Sequence, residues 1–134
     1  SYEIGMSEIS IREKAGLLAY SPLAAGYLTG KYRNNQIPKN SRMDLFYDRY
    51  PRYHNNRTYR AVDEYFNIAK KYKMTLTQLS QAFVNSRDFV TSNIIGATTM
   101  KQLKENIESV DISLNQNIIS EINSVHENIP NPAP

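Results

Sequence analysis

Two stretches of this sequence decide its fold. The first reads YSPLAAGYLTGKY over residues 20–32, and the second reads IIGATTMKQLKENI over residues 94–107. Each begins as an apolar strand and continues into a loop rich in hydroxyl and backbone N–H groups, and the second loop opens a predicted helix. Such loops hold phosphate groups, because free N–H groups and the dipole of a helix N-terminus both favour an anion. The sequence therefore predicts an α/β fold that binds phosphate.

Both strands are predicted from short apolar runs. Residues 17–21 form a continuous apolar run that stops at Pro22, which is typical of a strand buried on both faces in a parallel sheet. A second strand is predicted around residues 91–95. We expect the two strands to pair in parallel, because a helical crossover separates them and such crossovers are right-handed almost without exception. The helices should then lie on one side of the sheet.

Hydrophobic periodicity and capping residues predict the helices. They are a short helix over residues 7–15 ended by Gly16, a helix from Thr58, one from the capping box Thr75–Gln78, one from Thr99, and one from the capping box Ser113–Gln116. The helix from Thr99 is expected to bury an apolar face formed by Met100, Leu103, Ile107 and Val110. Residues 22–57 show little periodicity, and connections of that length are usually functional or disordered.

Composition excludes several classes of protein. The absence of cysteine excludes disulfides and thiolate metal sites, and no run of about 18 apolar residues is present to span a membrane. The first residues carry neither a basic leader nor an apolar core, so no signal peptide is expected. With 40% hydrophobic and 22% charged residues, the chain has the composition of a globular protein. We expect a cytoplasmic location.

Positive charge is concentrated in one segment. Residues 31–60 contain eight of the sixteen Lys and Arg residues and only two acidic residues, Asp44 and Asp48. A local positive field of this kind attracts an anionic ligand, either a nucleotide phosphate or a nucleic-acid backbone.

The motifs resemble the C-terminal portion of bacterial aldo-keto reductases of the potassium-channel β-subunit-like type. The matching segments are residues 18–24, 28–32 and 95–99, with Gln102–Leu103 and Glu105–Ile107. The resemblance implies a partial (β/α)8 TIM barrel, a C-terminal slice that contains barrel strands 7 and 8 and the helices after them. Since a complete barrel of this kind needs about 200 residues or more, residues 1–134 would be an incomplete domain.

The resemblance implies an NADP(H) site built from the first motif. Tyr20 would end the seventh strand and stack on the nicotinamide, an arrangement that fixes which face of the ring meets the substrate. The pyrophosphate would be lined by the turn that follows, formed by Ser21, Pro22, Leu23 and Ala24. Lys31 and Arg42 resemble two cationic residues on the loop that covers the cofactor, where they would pair with phosphate when the loop is closed.

The second motif would hold the 2′-phosphate and adenine end of NADP(H). Gly96 allows close approach of the backbone to a ligand, and Thr98 supplies a hydroxyl at a helix N-terminus. The resemblance implies that Gln102, Glu105 and Asn106, which helical spacing can bring to one side, complete this end. An alternative stays open, because Thr99 and Gln102 also form a capping box in which Gln102 accepts from the Thr99 N–H.

The residues that perform the chemistry of this family are not found in the sequence. Its catalytic Asp, Tyr, Lys and His come from the first four strands, and His54 and His126 lie outside any such motif. We therefore assign no catalytic residue and no metal ligand, and we predict that the chain is inactive alone. The complete enzyme would reduce a small carbonyl substrate. The chain itself should associate with the missing N-terminal half of the barrel or with itself.

A second hypothesis comes from the basic segment. Its tyrosines, Tyr32, Tyr47, Tyr50, Tyr53 and Tyr59, alternate with Lys and Arg, which is the composition of a surface that binds nucleic acid by stacking and phosphate contacts. This alternative is a basic, Tyr-rich module that binds anions or nucleic acid. We favour the reductase interpretation, because the alternative does not explain the order of the two motifs. A membrane partner is not expected.

Overall fold

The structure is a computed structural model that describes residues 2–134. Two strands, β1 (Leu17–Tyr20) and β2 (Val90–Ile94), form a parallel pair. Leu18 lies opposite Ser92 and Tyr20 lies opposite Ile94, and the register shifts once, between Leu17 and Leu18. The predicted parallel pairing is confirmed. Each strand ends one residue earlier than predicted, and β1 ends because Ser21 has a φ of 61°, outside the range of a strand.

Residues 2–134 contain six α-helices. They are α1 (Met6–Arg12), α2 (Arg42–Phe46), α3 (Asn56–Lys71), α4 (Leu76–Asn85), α5 (Met100–Glu108) and α6 (Gln116–Asn128). Short 3-10 turns lie at Tyr2–Ile4, Ala24–Thr29, Arg33–Asn35, Tyr47–Arg49, Pro51–Tyr53 and Ser109–Asp111. Within residues 2–134, no helix has both the length and the apolar character needed to cross a membrane.

Within residues 2–134, side-chain caps set the start of five helices. The predicted capping box of α4 is confirmed, with the Thr75 hydroxyl accepting from the Gln78 N–H at 3.1 Å and the Gln78 side chain accepting from the Thr75 N–H at 2.9 Å. The predicted capping box of the last helix is wrong. There Asn115 is the cap, because its side chain accepts from the Ile118 N–H at 3.0 Å, two residues later in the chain than Ser113.

The first helix also ends earlier than predicted. It stops at Arg12 and not at Gly16, because Lys14 takes a left-handed conformation with φ of 52°. Gly16 has another role. A Cβ atom at that position would lie 1.8 Å from the Thr91 hydroxyl oxygen, so the close approach of the two strand starts requires glycine there.

The long connection between Pro22 and α3 is part of the core. Instead of an irregular loop, it consists of successive short turns that satisfy much of their backbone by local hydrogen bonds. Phe46 and Tyr47 are 43% and 44% exposed, but Tyr27, Tyr32 and Met43 are between 2% and 4% exposed. They pack with apolar residues of α3, α4 and α6, such as Val62, Leu79 and Ile122. The prediction of a functional or disordered loop overlooked this packing.

One face of the two-stranded sheet is uncovered. Leu17 and Ala19 are half-buried, whereas Leu18 and Tyr20 on the opposite face are 62% and 81% exposed. The prediction that this strand is buried on both faces is therefore wrong for the described residues, because helices cover only one face. Most of the apolar face predicted for α5 is also uncovered, since Met100, Ile107 and Val110 are 77%, 57% and 69% exposed; the fourth member, Leu103, is half-buried.

Candidate phosphate-binding site

The parallel register brings the two sequence motifs to one edge of the sheet. Tyr20 and Ile94 are opposite each other, and both are the last residues of their strands. The turn after Tyr20 and the loop after Ile94 therefore leave the sheet side by side, at the carboxyl ends of both strands. In α/β folds with parallel strands this edge carries the ligand site.

The first turn has an unusual backbone. Ser21, Ala24 and Ala25 have φ values of 61°, 47° and 55°, a conformation that L-residues rarely adopt, and Gly26 follows at 98°. The Ala24 N–H donates to the Ser21 carbonyl at 2.9 Å, so this amide is used inside the turn. Strained residues of this kind cluster at ligand sites, because the surrounding structure must hold them in place.

The predicted residues of the first motif differ in their access to a ligand. Tyr20 presents an 81% exposed ring at the end of β1, and Ser21 is also exposed. Pro22, Leu23 and Ala24 are half-buried. Pro22 has no N–H, and the Ala24 N–H is already bonded, so neither residue offers a free backbone donor.

The second loop is open at Gly96 and capped at Thr99. No atom lies within 4 Å of the position where Gly96 would carry a Cβ, so the space beside its backbone is free. The Thr99 hydroxyl accepts from the Gln102 N–H at 3.3 Å. The Gln102 side chain turns back and accepts from the N–H and the hydroxyl of Thr98, at 2.9 and 3.0 Å. Gln102 therefore caps the helix, but through Thr98 and not through the Thr99 N–H.

Glu105 and Asn106 have internal partners as well. The Thr75 hydroxyl donates to a Glu105 carboxylate oxygen at 2.6 Å, which ties α5 to the start of α4. Asn106 is only 5% exposed, and its side-chain amide donates to the Gly96 carbonyl at 3.3 Å. Gln102, Glu105 and Asn106 are thus hydrogen-bonded to three different partners. They do not form one free polar surface.

Lys31 and Arg42 come from segments that contact each other. The Met43 N–H donates to the Tyr32 hydroxyl at 3.3 Å, and Lys31 and Arg42 are the residues directly before this pair. The Lys31 ammonium lies 5.1 Å from the centre of the Tyr32 ring, and the Arg42 guanidinium lies 5.9 Å from that of Tyr50. Neither side chain forms an ion pair within residues 2–134. Their charges stay available to an anion.

The tyrosines of the basic segment do not form a stacking surface. Tyr32 and Tyr53 are 4% and 6% exposed, and Tyr50 and Tyr59 are half-buried. The exposed ring of Tyr47 stacks on His54 at a centroid distance of 3.7 Å, and burial lowers the pKa of that histidine. Most of these rings are core side chains, so the structure does not favour the nucleic-acid alternative.

Sequence reasoning overlooked two further features. A cavity of about 530 Å³ lies on the covered face of the sheet, lined by Leu17, Ala19, Tyr65, Leu79 and Phe83 among others. The sequence indicated this cavity only through the apolar residues on one side of β1 and of α4. The second feature is Gln81, which is fully buried and bonded to Asn106. A polar residue among the apolar positions of α4 was the only sign of it.

In the described residues, no group of three or more His, Asp or Glu side chains could hold a metal ion.

Comparison with known proteins identifies a family. Residues 6–127 match the sequence pattern of the Aldo/keto reductase family. The chain is 44% identical to "Protein tas" of Escherichia coli over 134 residues, which is all of this chain and 38% of the relative. It is 38% identical to "Aldo-keto reductase" of Babesia bovis over 130 residues, or 92% of this chain and 46% of the relative.

Plant and structural relatives agree with this assignment. A "Probable voltage-gated potassium channel subunit beta" of Arabidopsis thaliana is 38% identical over 104 residues, or 72% of this chain and 30% of the relative. The structure of a glycerol dehydrogenase from Gluconobacter oxydans matches with a TM-score of 0.74 at 22% identity, over 99% of this chain and 40% of that one. This last likeness shows the fold alone. The chain spans less than half the length of these relatives.

Proposed function

The chain belongs to the aldo/keto reductase family, and from this premise we propose that it forms the cofactor-binding part of an NADP(H)-dependent oxidoreductase. In the complete enzyme, the reaction would be the reduction of an aldehyde or ketone to an alcohol. NADP(H) would supply the hydride for that reaction when bound. The residues of this chain would bind and orient the dinucleotide and would perform no proton transfer.

The observation that supports the proposal most strongly is the pairing of Tyr20 with Ile94. It places an exposed aromatic ring, the turn that follows it and a loop with free space beside Gly96 at one edge of the sheet, where a dinucleotide can bind. The free space beside Gly96 suits a phosphate group at the start of α5, a helix of nine residues, and Thr98 lies exposed beside it with both of its donors bonded to Gln102. These residues fit the group that the family uses.

The expected roles follow from these positions. Tyr20 would stack on the nicotinamide, and the turn from Ser21 to Ala24 would lie against the pyrophosphate. Lys31 and Arg42 would add positive charge to the phosphates from the covering segment. Gly96 and Thr98 would meet the 2′-phosphate end. Gln102, Glu105 and Asn106 would support that end through their internal partners.

We also propose a position for the chain within the barrel. Residues 1–134 would be an incomplete domain that provides strands 7 and 8 and the helices after them. Two parallel strands with one uncovered face and unpaired edges support a slice of a larger closed sheet. The sequence of the complete protein tests this placement. A catalytic Asp, Tyr, Lys and His encoded before residue 1 supports it, whereas a match to the amino-terminal part of the barrel would overturn it.

Cofactor affinity is expected to depend on Lys31 and Arg42. Changing either one to Gln should weaken NADP⁺ binding about tenfold, since a hydrogen bond to a charged group stabilises by roughly 1.5–3 kcal/mol. Binding should also lose part of its dependence on salt, because exposed charges are screened. Isothermal titration calorimetry with NADP⁺ and NAD⁺ measures both effects. Arg60→Gln, an exposed position in the same basic segment, is the control. Equal losses from Arg60→Gln and Arg42→Gln would refute a specific role for Arg42.

The chain alone is expected to show no reductase activity at any pH. No general acid positioned against a nicotinamide is assigned to it, and carbonyl reduction requires a proton as well as a hydride. The assay follows NADPH consumption with 4-nitrobenzaldehyde over the pH range in which the chain stays folded. Steady turnover above a buffer blank, proportional to the concentration of this chain, would contradict the prediction.

A further inference from the structure

A row of side-chain amides runs through the interior from β2 to the second loop. The Asn93 amide donates to the Gln81 oxygen at 2.7 Å, and the Gln81 amide donates to the Asn106 oxygen at 3.2 Å. The Asn106 amide in turn donates to the Gly96 carbonyl at 3.3 Å. The row therefore joins β2, α4 and α5 to the backbone of the loop between β2 and α5.

The direction of this row is determined at the Gly96 end. A backbone carbonyl can only accept, so Asn106 must present its NH2 group to Gly96 and its oxygen to Gln81. Gln81 must then donate to Asn106 and accept from Asn93. If any one amide were turned over, two acceptors or two donors would face each other. The Asn93 amide also donates to the Asn85 oxygen at 3.0 Å, and the buried Asn93 oxygen has no partner in the described residues.

Burial makes this orientation rigid. Gln81 is 0% exposed and Asn106 is 5% exposed, so water cannot replace a lost partner at either side chain. A buried amide without a partner costs free energy, and that cost favours the single arrangement in which Gln81 and Asn106 are both bonded. The loop carbonyl is therefore held by a network and not by one isolated contact.

The orientation of the Gly96 carbonyl also determines where the next N–H points. The structure contains no cis peptide bond in residues 2–134, so the Gly96 carbonyl and the Ala97 N–H lie on opposite sides of one planar peptide group. Because the carbonyl points inward to Asn106, the Ala97 N–H points away from it, and Ala97 is exposed.

We propose that Gln81 is a positioning residue for the phosphate-binding loop. Through Asn106 it holds the Gly96 carbonyl inward and so presents the Ala97 N–H to an anionic oxygen of the dinucleotide. This inference rests on the proposed function for the identity of the ligand. It also gives the Asn106 side chain a role in holding the loop backbone.

The substitution Gln81→Leu tests the proposal, with Gln116→Leu at an exposed Gln of α6 as the control. Two observations are made by NMR on the folded chain. We expect hydrogen exchange of the Asn106 side-chain NH2 group to become about tenfold faster in Gln81→Leu. We also expect the carbonyl carbon shift of Gly96 and the amide shift of Ala97 to move. The control should leave both unchanged.

Ligand affinity gives a separate measurement on the same proteins. We expect NADP⁺ to bind about fivefold more weakly to Gln81→Leu than to the unmodified chain, because the donor is no longer held in place. If the unmodified chain does not bind NADP⁺, the proposed function fails, while the Asn106 exchange still tests whether Gln81 holds the loop. If Gln81→Leu changes the loop but not the NADP⁺ affinity, positioning for the ligand is refuted.

Gln81→Glu is a second variant in case Gln81→Leu does not fold, because Glu has nearly the same shape as Gln. A protonated Glu can accept from Asn93 and donate to Asn106, whereas the ionised form cannot donate. Both partners are neutral amides, and burial raises the pKa of such a carboxyl above its ordinary value of about 4.3. The Gly96 and Ala97 shifts should therefore match the unmodified chain at low pH and those of Gln81→Leu at high pH. Shifts that stay unchanged in both variants at every pH would overturn the proposal.

Discussion

Replacing Met43 with alanine is expected to lower the free energy of unfolding by about 2–5 kcal/mol, which is typical for truncation of a fully buried side chain. Met43 is 2% exposed, although it lies in the connection with the weakest pattern in the sequence. Its backbone N–H is bonded to the Tyr32 hydroxyl, and its sulfur lies 3.5 Å from His54 Nε2. Alanine would leave a cavity among these groups, because the aromatic rings around it cannot all move inward.

Leu45 is the matched control for Met43. It lies two residues further along α2 and is 57% exposed, so Leu45→Ala removes apolar atoms that are largely in water. We expect it to change the free energy of unfolding by less than about 0.5 kcal/mol. Urea unfolding followed by circular dichroism measures both variants. If Met43→Ala cost no more than Leu45→Ala, the connection would not belong to the core.

Self-association is the second large effect that we expect. The uncovered sheet face exposes 62% of Leu18 and 47% of Ile94, and each strand has a free edge. Such surfaces bind another copy of the chain, or the rest of the barrel, because both apolar side chains and edge hydrogen-bonding groups gain partners. Sedimentation velocity at about tens of micromolar, the range in which such surfaces associate, should show dimers or larger species.

Charge on the uncovered face should weaken this association. Ile94→Lys places an ammonium group beside β1 and is expected to raise the dissociation constant about tenfold or more, since a buried charge without a partner is costly. Ile37→Lys is the control, because Ile37 is 48% exposed but lies in the connection and not on the sheet. A compact monomer with two-state unfolding and no binding of the dye ANS would contradict the prediction.

Local chemistry made several elements predictable from the sequence. Thr75 and Gln78 satisfy each other's backbone within four residues, so the start of α4 could be located without knowledge of any other element. The two strands were found for a similar reason, because short apolar runs between turn residues are visible in the chain. Their ends were harder to predict, since Ser21 leaves the strand through a backbone angle that its side chain does not specify.

Burial of the connection could not be predicted from periodicity. Its residues follow neither a helical nor a strand period, because a series of short turns presents each side chain in a new direction. Tyr27 and Tyr53 stack at a centroid distance of 5.2 Å, although 25 positions lie between them in the sequence and no pattern links them. The basic residues of the connection suggested a surface segment, whereas Tyr27, Tyr32 and Tyr53 are buried in the core.

The sequence predicted where the residues of the candidate site lie, but it did not predict their hydrogen-bond partners. The two motifs meet at one edge of the sheet as expected. Gln102, Glu105 and Asn106 are where helical spacing puts them, but each is bonded to a partner on another segment or loop. Gln81 lies 25 residues before Asn106, and only the packing of α4 on α5 brings the two amides together.

The distance along the chain between β1 and β2 has a consequence during synthesis. Leu17 pairs with Val90, so about 70 residues must be added after the first strand before its partner exists. Because synthesis adds roughly 5–20 residues per second, β1 stays unpaired for several seconds, with Leu18 and both of its backbone edges exposed. During that interval the nascent chain offers an unpaired apolar strand, which is the kind of segment that chaperones bind. Pairing of β1 with β2 can begin only after β2 has left the ribosome.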